Sequence, residues 1–103
     1  MQIRDLLAKA TASYAAGDLN HAKMVIREII NLDDSFGVVY TLLSQVHEDL
    51  GEKEEAVEAL MKACIHNRQD PVIWLRAARL SRELGDWKTS LRCYDTYFHS
   101  ERG

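Results

Sequence analysis

The chain has 103 residues, room for one domain with a modest core, and its 47% hydrophobic and 28% charged residues are those of an ordered globular protein. Its 13 Lys and Arg and 16 Asp and Glu are mixed along the chain to a net charge of −3, which leaves no basic stripe for a phosphate backbone and excludes direct nucleic-acid binding from the expectations. No apolar run approaches bilayer-spanning length, Arg4, Asp5 and Lys9 stand where a secretion signal would be apolar, and two cysteines, Cys64 and Cys93, make no disulfide framework, so an intracellular chain with reduced thiols is expected.

A first helix is predicted over Ile3 to Ala16, ended by Gly17, which enters the left-handed region without a Cβ clash. Asp18 follows, placed to favour the positive end of a second helix from Leu19 to Asn31, whose Val25, Ile26, Ile29 and Ile30 recur at helical spacing. Asp33, Asp34 and Ser35 offer a cap for a third helix from Phe36 to Leu50, with Leu42, Leu43, Val46 and Leu50 along it. Gly51 and Glu52 repeat the corner before a fourth helix from Lys53 to His66. Asp70 and Pro71 make a good start for a fifth, to Leu84, because proline lacks only an N–H that the first turn leaves unused. A third corner, Gly85 and Asp86, precedes a sixth helix from Trp87 to His99. No segment alternates with the two-residue period of a strand, so the fold class is all-α.

Gly17, Gly51 and Gly85 are spaced at two equal intervals of 34 residues, and an acid follows each. Five positions beyond each glycine stands a small residue, Ala22, Ala56 or Ser90, and four further a bulky one, Ile26, Leu60 or Tyr94. Two antiparallel helices approach closely only where one carries a small side chain at the crossing, so the register encodes three helix-turn-helix hairpins, at about 3–34, 36–68 and 70–103. No such hairpin covers its apolar face alone, and the three are expected to stack in a right-handed superhelix with a concave and a convex side. Tyr94, Tyr97 and Phe98 lie on the last helix, where an array normally carries a polar-faced cap. The expectation is therefore a piece of a longer array, with neighbouring repeats or a second copy against the C-terminal hairpin.

The 34-residue period, the glycine corners, Tyr40 or Trp74 opening a repeat, Leu43 and Ala63 together resemble the tetratricopeptide repeat family over nearly the whole chain. Asp34 and Arg68 depart from the family's proline after the second helix, and Ser13 replaces an aromatic. More narrowly, Tyr40-Thr41-Leu42-Leu43, Glu48-Asp49-Leu50-Gly51-Glu52 and Ala63-Cys64, closing at Asn67 and Asp70, are similar to a repeat of the tetratricopeptide-rich subunits of transcription factor TFIIIC. Trp74, Ala78, Leu80-Ser81 and Cys93-Tyr94 continue the likeness, and Ala10 with Tyr14-Ala15-Ala16-Gly17-Asp18 precedes it. That resemblance implies a nuclear assembly scaffold that recruits the initiation factor of RNA polymerase III.

Stacking in the family's manner turns the first helix of each hairpin toward the groove. It would present Arg4, Leu7, Thr11 and Tyr14, then Thr41, Gln45, Glu48 and Asp49, then Leu75, Arg79, Arg82 and Glu83. An acidic strip beside a basic one suits an extended or helical peptide carrying both signs of charge, and protein or peptide segments are the expected partners. Any one of these residues taken alone reads as a solvated helix face, and it is as a group, placed by the repeat, that they make the candidate partner site. The carboxylate clamp of tetratricopeptide co-chaperones is not expected, because Leu7, Thr11 and Leu42 stand at its positions and only Arg76 keeps a basic residue.

His21, His47, His66, His99 and the two cysteines lack the paired short spacing of metal ligands, and neither metal nor cofactor is expected. His47, one turn before Gly51 at an aromatic position of the repeat, is predicted to pack between helices with one nitrogen bonded. Glu52, Glu54, Glu55 and Glu58 are favoured by the helix dipole, and no phosphate loop, nucleophile elbow or Cys/His relay is present, so no catalytic residue is assigned. Trp74 is read as core and Trp87 as half exposed. The reading is a protein-interaction module; a free-standing small adaptor that self-associates, or a docking domain cut from an enzyme, stay open beside it.

Overall fold

In the computed structural model, which describes residues 2–66 and 71–102 with side chains as far as Phe98, six helices follow one another. They are α1 (Ile3–Ala15), α2 (Leu19–Leu32), α3 (Gly37–Asp49), α4 (Lys53–His66), α5 (Pro71–Glu83) and α6 (Trp87–Arg102). No strand occurs among the described residues. The predicted boundaries hold within one residue except at the end, where α6 runs three residues past His99.

The three corners share one geometry. Gly17, Gly51 and Gly85 have φ of +83°, +80° and +82°, the left-handed region that costs a side chain most. Each glycine N–H donates to the carbonyl three residues back (Tyr14, Glu48, Arg82), and the following acid's N–H donates five back (Ser13, His47, Ser81) at 2.7–2.9 Å. This paired closure satisfies the last carbonyls of the first helix of each hairpin. The acid then begins the next helix. Asp18 Oδ1 accepts from His21 N at 3.3 Å and Asp86 Oδ1 from Thr89 N at 3.2 Å.

The second corner uses its acid differently. Glu52, one methylene longer, reaches back so that its Oε1 accepts from His47 Nδ1 at 2.7 Å and from Lys23 Nζ of α2 at 3.4 Å. His47 is buried between helices with that nitrogen bonded, as its place before Gly51 predicted. The hydrogen bond from His47, with Lys23 adding to it, holds the Glu52 carboxyl below its ordinary value near 4.5. A depressed folded value stabilises the fold above the unfolded value and ceases to do so as pH falls through the folded one. Urea midpoints measured from pH 6 down to pH 3 are therefore expected to fall more steeply in the wild type than in Glu52→Gln; parallel curves would show that the contact contributes nothing.

The cap predicted from Asp33, Asp34 and Ser35 forms otherwise. Phe36 occupies the cap position of α3 without a side-chain bond, while Asp33 Oδ1 accepts from Ser35 N at 3.0 Å and Ser35 Oγ at 2.6 Å. The short acid closes its own turn two residues on, a competing use of the same side chain. Tyr40 Oη donates to the Asp34 carbonyl at 3.0 Å and ties that turn to α3. Asp70, the predicted cap of α5, and Arg68 lie outside the described residues.

Each helix packs against its hairpin partner, and α2 on α3 and α4 on α5 join one hairpin to the next. Ala22 and Ala56 are fully buried, and Ser90, 2% exposed, sends its hydroxyl to the Ala78 carbonyl at 2.9 Å, so the small residue sits at each crossing. Two apolar clusters result. Leu6, Ala10, Val25, Ile26, Ile29, Val39 and Val46 fill the first, and Tyr40, Leu60, Cys64, Ile73, Ala77, Leu80 and Cys93 the second. Ile30 touches both. The cysteines are buried without forming a disulfide, and burial pushes the Cys93 thiol up. The array measures 40 × 28 × 20 Å, and no helix among the described residues is long and apolar enough to cross a membrane.

Candidate functional site

Because the first helices of the three hairpins run the same way, residues at the 34-residue offset share a level across them. At the C-terminal level the structure joins α1, α3 and α5 by a chain of polar contacts. Tyr14 Oη donates to Asp49 Oδ2 at 2.6 Å, Gln45 Nε2 donates to Asp49 Oδ1 at 3.2 Å, and Arg76 Nη2 donates to Gln45 Oε1 at 2.9 Å. Arg76 also pairs with Glu48 at 3.5 Å. The hydrogen bond to Asp49 pushes the Tyr14 phenol up from its ordinary value, with partial burial adding to it.

Beside this chain lies a cleft of about 160 Å³ lined by Glu48, Arg76, Arg79, Leu80 and Glu83. Of the residues expected to face the groove, Tyr14, Gln45, Glu48, Asp49, Arg79 and Glu83 thus meet at one level, with Arg82 exposed on the same helix. Thr11 and Thr41 stay local, donating to the carbonyls of Leu7 at 2.9 Å and Gly37 at 3.3 Å. Arg4 lies at the other end, on a cleft of about 310 Å³ formed with Ile3, Leu7, Phe36, Val38 and Val39.

Two parts of this surface were missed by the sequence reading. Arg76 is the hub of the polar chain, and Phe36 with Val38 builds the apolar end. Val38 could have been found, since Arg4, Val38 and Val72 fall at the same offset as the residues that were assigned. Trp74 is partly buried against the second cluster, as expected, and Trp87 is 61% exposed. Among the described residues no three His, Cys, Asp or Glu side chains converge on a metal position, and the side chain of His99 lies outside them. Glu54, Glu55 and Glu58 face solvent at the start of α4.

Residues 37–80 match the tetratricopeptide repeat family profile. A human protein, general transcription factor 3C polypeptide 3, is 27% identical over 92 residues, which is 89% of this chain and 10% of that protein. The chain therefore spans about a tenth of that relative's length. Solved structures share the fold, MamA and PcrH among them. MamA superposes with a TM-score of 0.85 at 18% identity over 98% of this chain and 59% of its own. PcrH, in complex with the chaperone binding region of PopD, superposes with a TM-score of 0.81 at 20% identity over 94% of this chain and 73% of its own. Six helices in three stacked hairpins with glycine corners at a constant period, the matched segment and these neighbours agree on the tetratricopeptide-type fold, and residues 37–80 carry the repeat of that family.

Proposed function

We propose that the chain is a protein-interaction scaffold that holds a segment of a partner along α1, α3 and α5, and that it serves in a TFIIIC-type assembly in the nucleus. The supporting observation is the polar chain from Tyr14 to Arg76, which makes three hairpins one surface while leaving Arg79 and Arg82 without an ion pair among the described residues. The solved relative with the chaperone binding region of PopD supports peptide binding as a use of this fold. The assembly rests on the human relative alone.

Affinity capture from the source cell with the wild type and with Arg79→Glu/Arg82→Glu tests both parts. Both side chains are exposed, so the double reversal is expected to change stability by less than about 1 kcal/mol and to weaken the captured partner by about tenfold or more. Unfolding by the double reversal would make the residues structural, and equal capture by both proteins would remove the groove assignment. Capture of no TFIIIC subunit would remove the assembly.

The ends of the array support stacking on neighbouring repeats. Leu91, Tyr94 and Phe98 of α6 stand at the offset of Val57, Leu60 and Cys64, which α4 turns toward α5, yet Leu91 and Phe98 are 68% and 60% exposed. Sedimentation velocity of the isolated chain is expected to show concentration-dependent association that Leu91→Glu/Phe98→Glu abolishes. A clean monomer at high concentration would rule out a second copy on this face.

A further inference from the structure

We infer that the groove selects an extended acidic segment with a bulky apolar side chain about five residues from its acid; this rests on the groove reading above. The charges decide the sign. Every groove acid already has a donor within the chain: Glu48 has Arg76, Asp49 has Tyr14 and Gln45, and Glu83 has Lys53 at 3.9 Å. Among the described residues Arg4, Arg79 and Arg82 have no such partner, and all three are exposed. The surface thus offers unmatched positive charge, although an acidic strip beside a basic one suggested a partner of both signs. A carboxylate placed at the mouth of the cleft would gain the planar donors of Arg79 without displacing an internal bond.

The apolar end fixes a second point. Phe36 and Val38 are 42% and 60% exposed beside Leu7, and their cleft is large enough for an aliphatic or aromatic side chain. Val38 lies two turns before Gln45, at the level of which Arg79 stands on α5. Two turns rise about 10 Å, and the step from the α1–α3 cleft to α5 is about one and a half helix spacings, so the two points are about 17 Å apart. An extended chain advances about 3.3 Å per residue and spans this in about five. Arg4 beside the apolar cleft would favour a further acid next to the anchor.

The probe is a displayed library of random dodecapeptides selected on the 103-residue chain. Enriched peptides are expected to share an apolar residue and an acid about five positions apart. Arg79→Glu/Arg82→Glu and Val38→Asp should each weaken them about tenfold or more in fluorescence anisotropy, and a peptide whose acid is replaced by Ser should bind the wild type more weakly, be indifferent to the first replacement and stay sensitive to the second. Val38 is exposed, so its replacement tests the cleft without opening the core, and circular dichroism checks the fold. Peptides that lose binding on the arginine reversal but carry no spaced apolar residue would overturn this inference and leave the groove standing. Peptides indifferent to both replacements, or no enrichment at all, would overturn the groove reading with it.

Discussion

Leu60→Ala is expected to lower the unfolding free energy by about 2–5 kcal/mol, the loss that follows when a fully buried leucine leaves a cavity its neighbours cannot close. Leu60 is 1% exposed at the centre of the second cluster, where α4 meets both its hairpin partner α3 and the next hairpin's α5. Close packing at Ala56, Ala63 and Ala77, all without exposed surface, leaves little side-chain length nearby to fill the space. Met24→Ala, on α2 and 66% exposed, is the control and should stay within about 0.5 kcal/mol. Urea titration followed by circular dichroism measures both. Because Ile30 touches both clusters, a single transition is expected in each case, whereas two transitions would show hairpins that unfold independently.

Gly51→Val is expected to cost about 1–3 kcal/mol, and for a different reason. No heavy atom lies within 4 Å of where a Cβ would stand, so the replacement meets no obstacle, and the whole cost comes from holding a β-branched residue at φ +80°. Asn, whose side chain tolerates the left-handed region, should cost clearly less than Val in the same thermal or urea measurement. Equal losses for Val and Asn would place the effect in something other than backbone strain.

These two positions show which parts of the molecule are local in origin. A glycine that must take a positive φ, an acid ready to begin the next helix, and apolar residues at helical spacing act through neighbours a few residues away. All six helices and all three corners were therefore legible before any tertiary contact was considered. The 34-residue period added the stacking, since residues repeating at that offset do the same work in each hairpin. Even His47 could be placed, because the period showed a polar ring at a position that packs between helices.

What depended on distant residues was not legible. Glu52 serves His47 and Lys23, whereas Asp18 and Asp86 cap their helices; that choice turns on one methylene and on a lysine brought in from another hairpin. Asp33 likewise spends its carboxylate on its own turn with Ser35, where pattern alone predicted a helix cap. Whether a groove charge is satisfied or open was decided only when Arg76 reached Gln45 and Glu48, 31 and 28 positions away, and left Arg79 and Arg82 to face solvent. The sequence alone determined the helices, the corners and their period, because backbone conformation and apolar spacing are short-range. Tertiary structure decided which charges remain for a partner, because electrostatic pairing depends on distance in space and not along the chain.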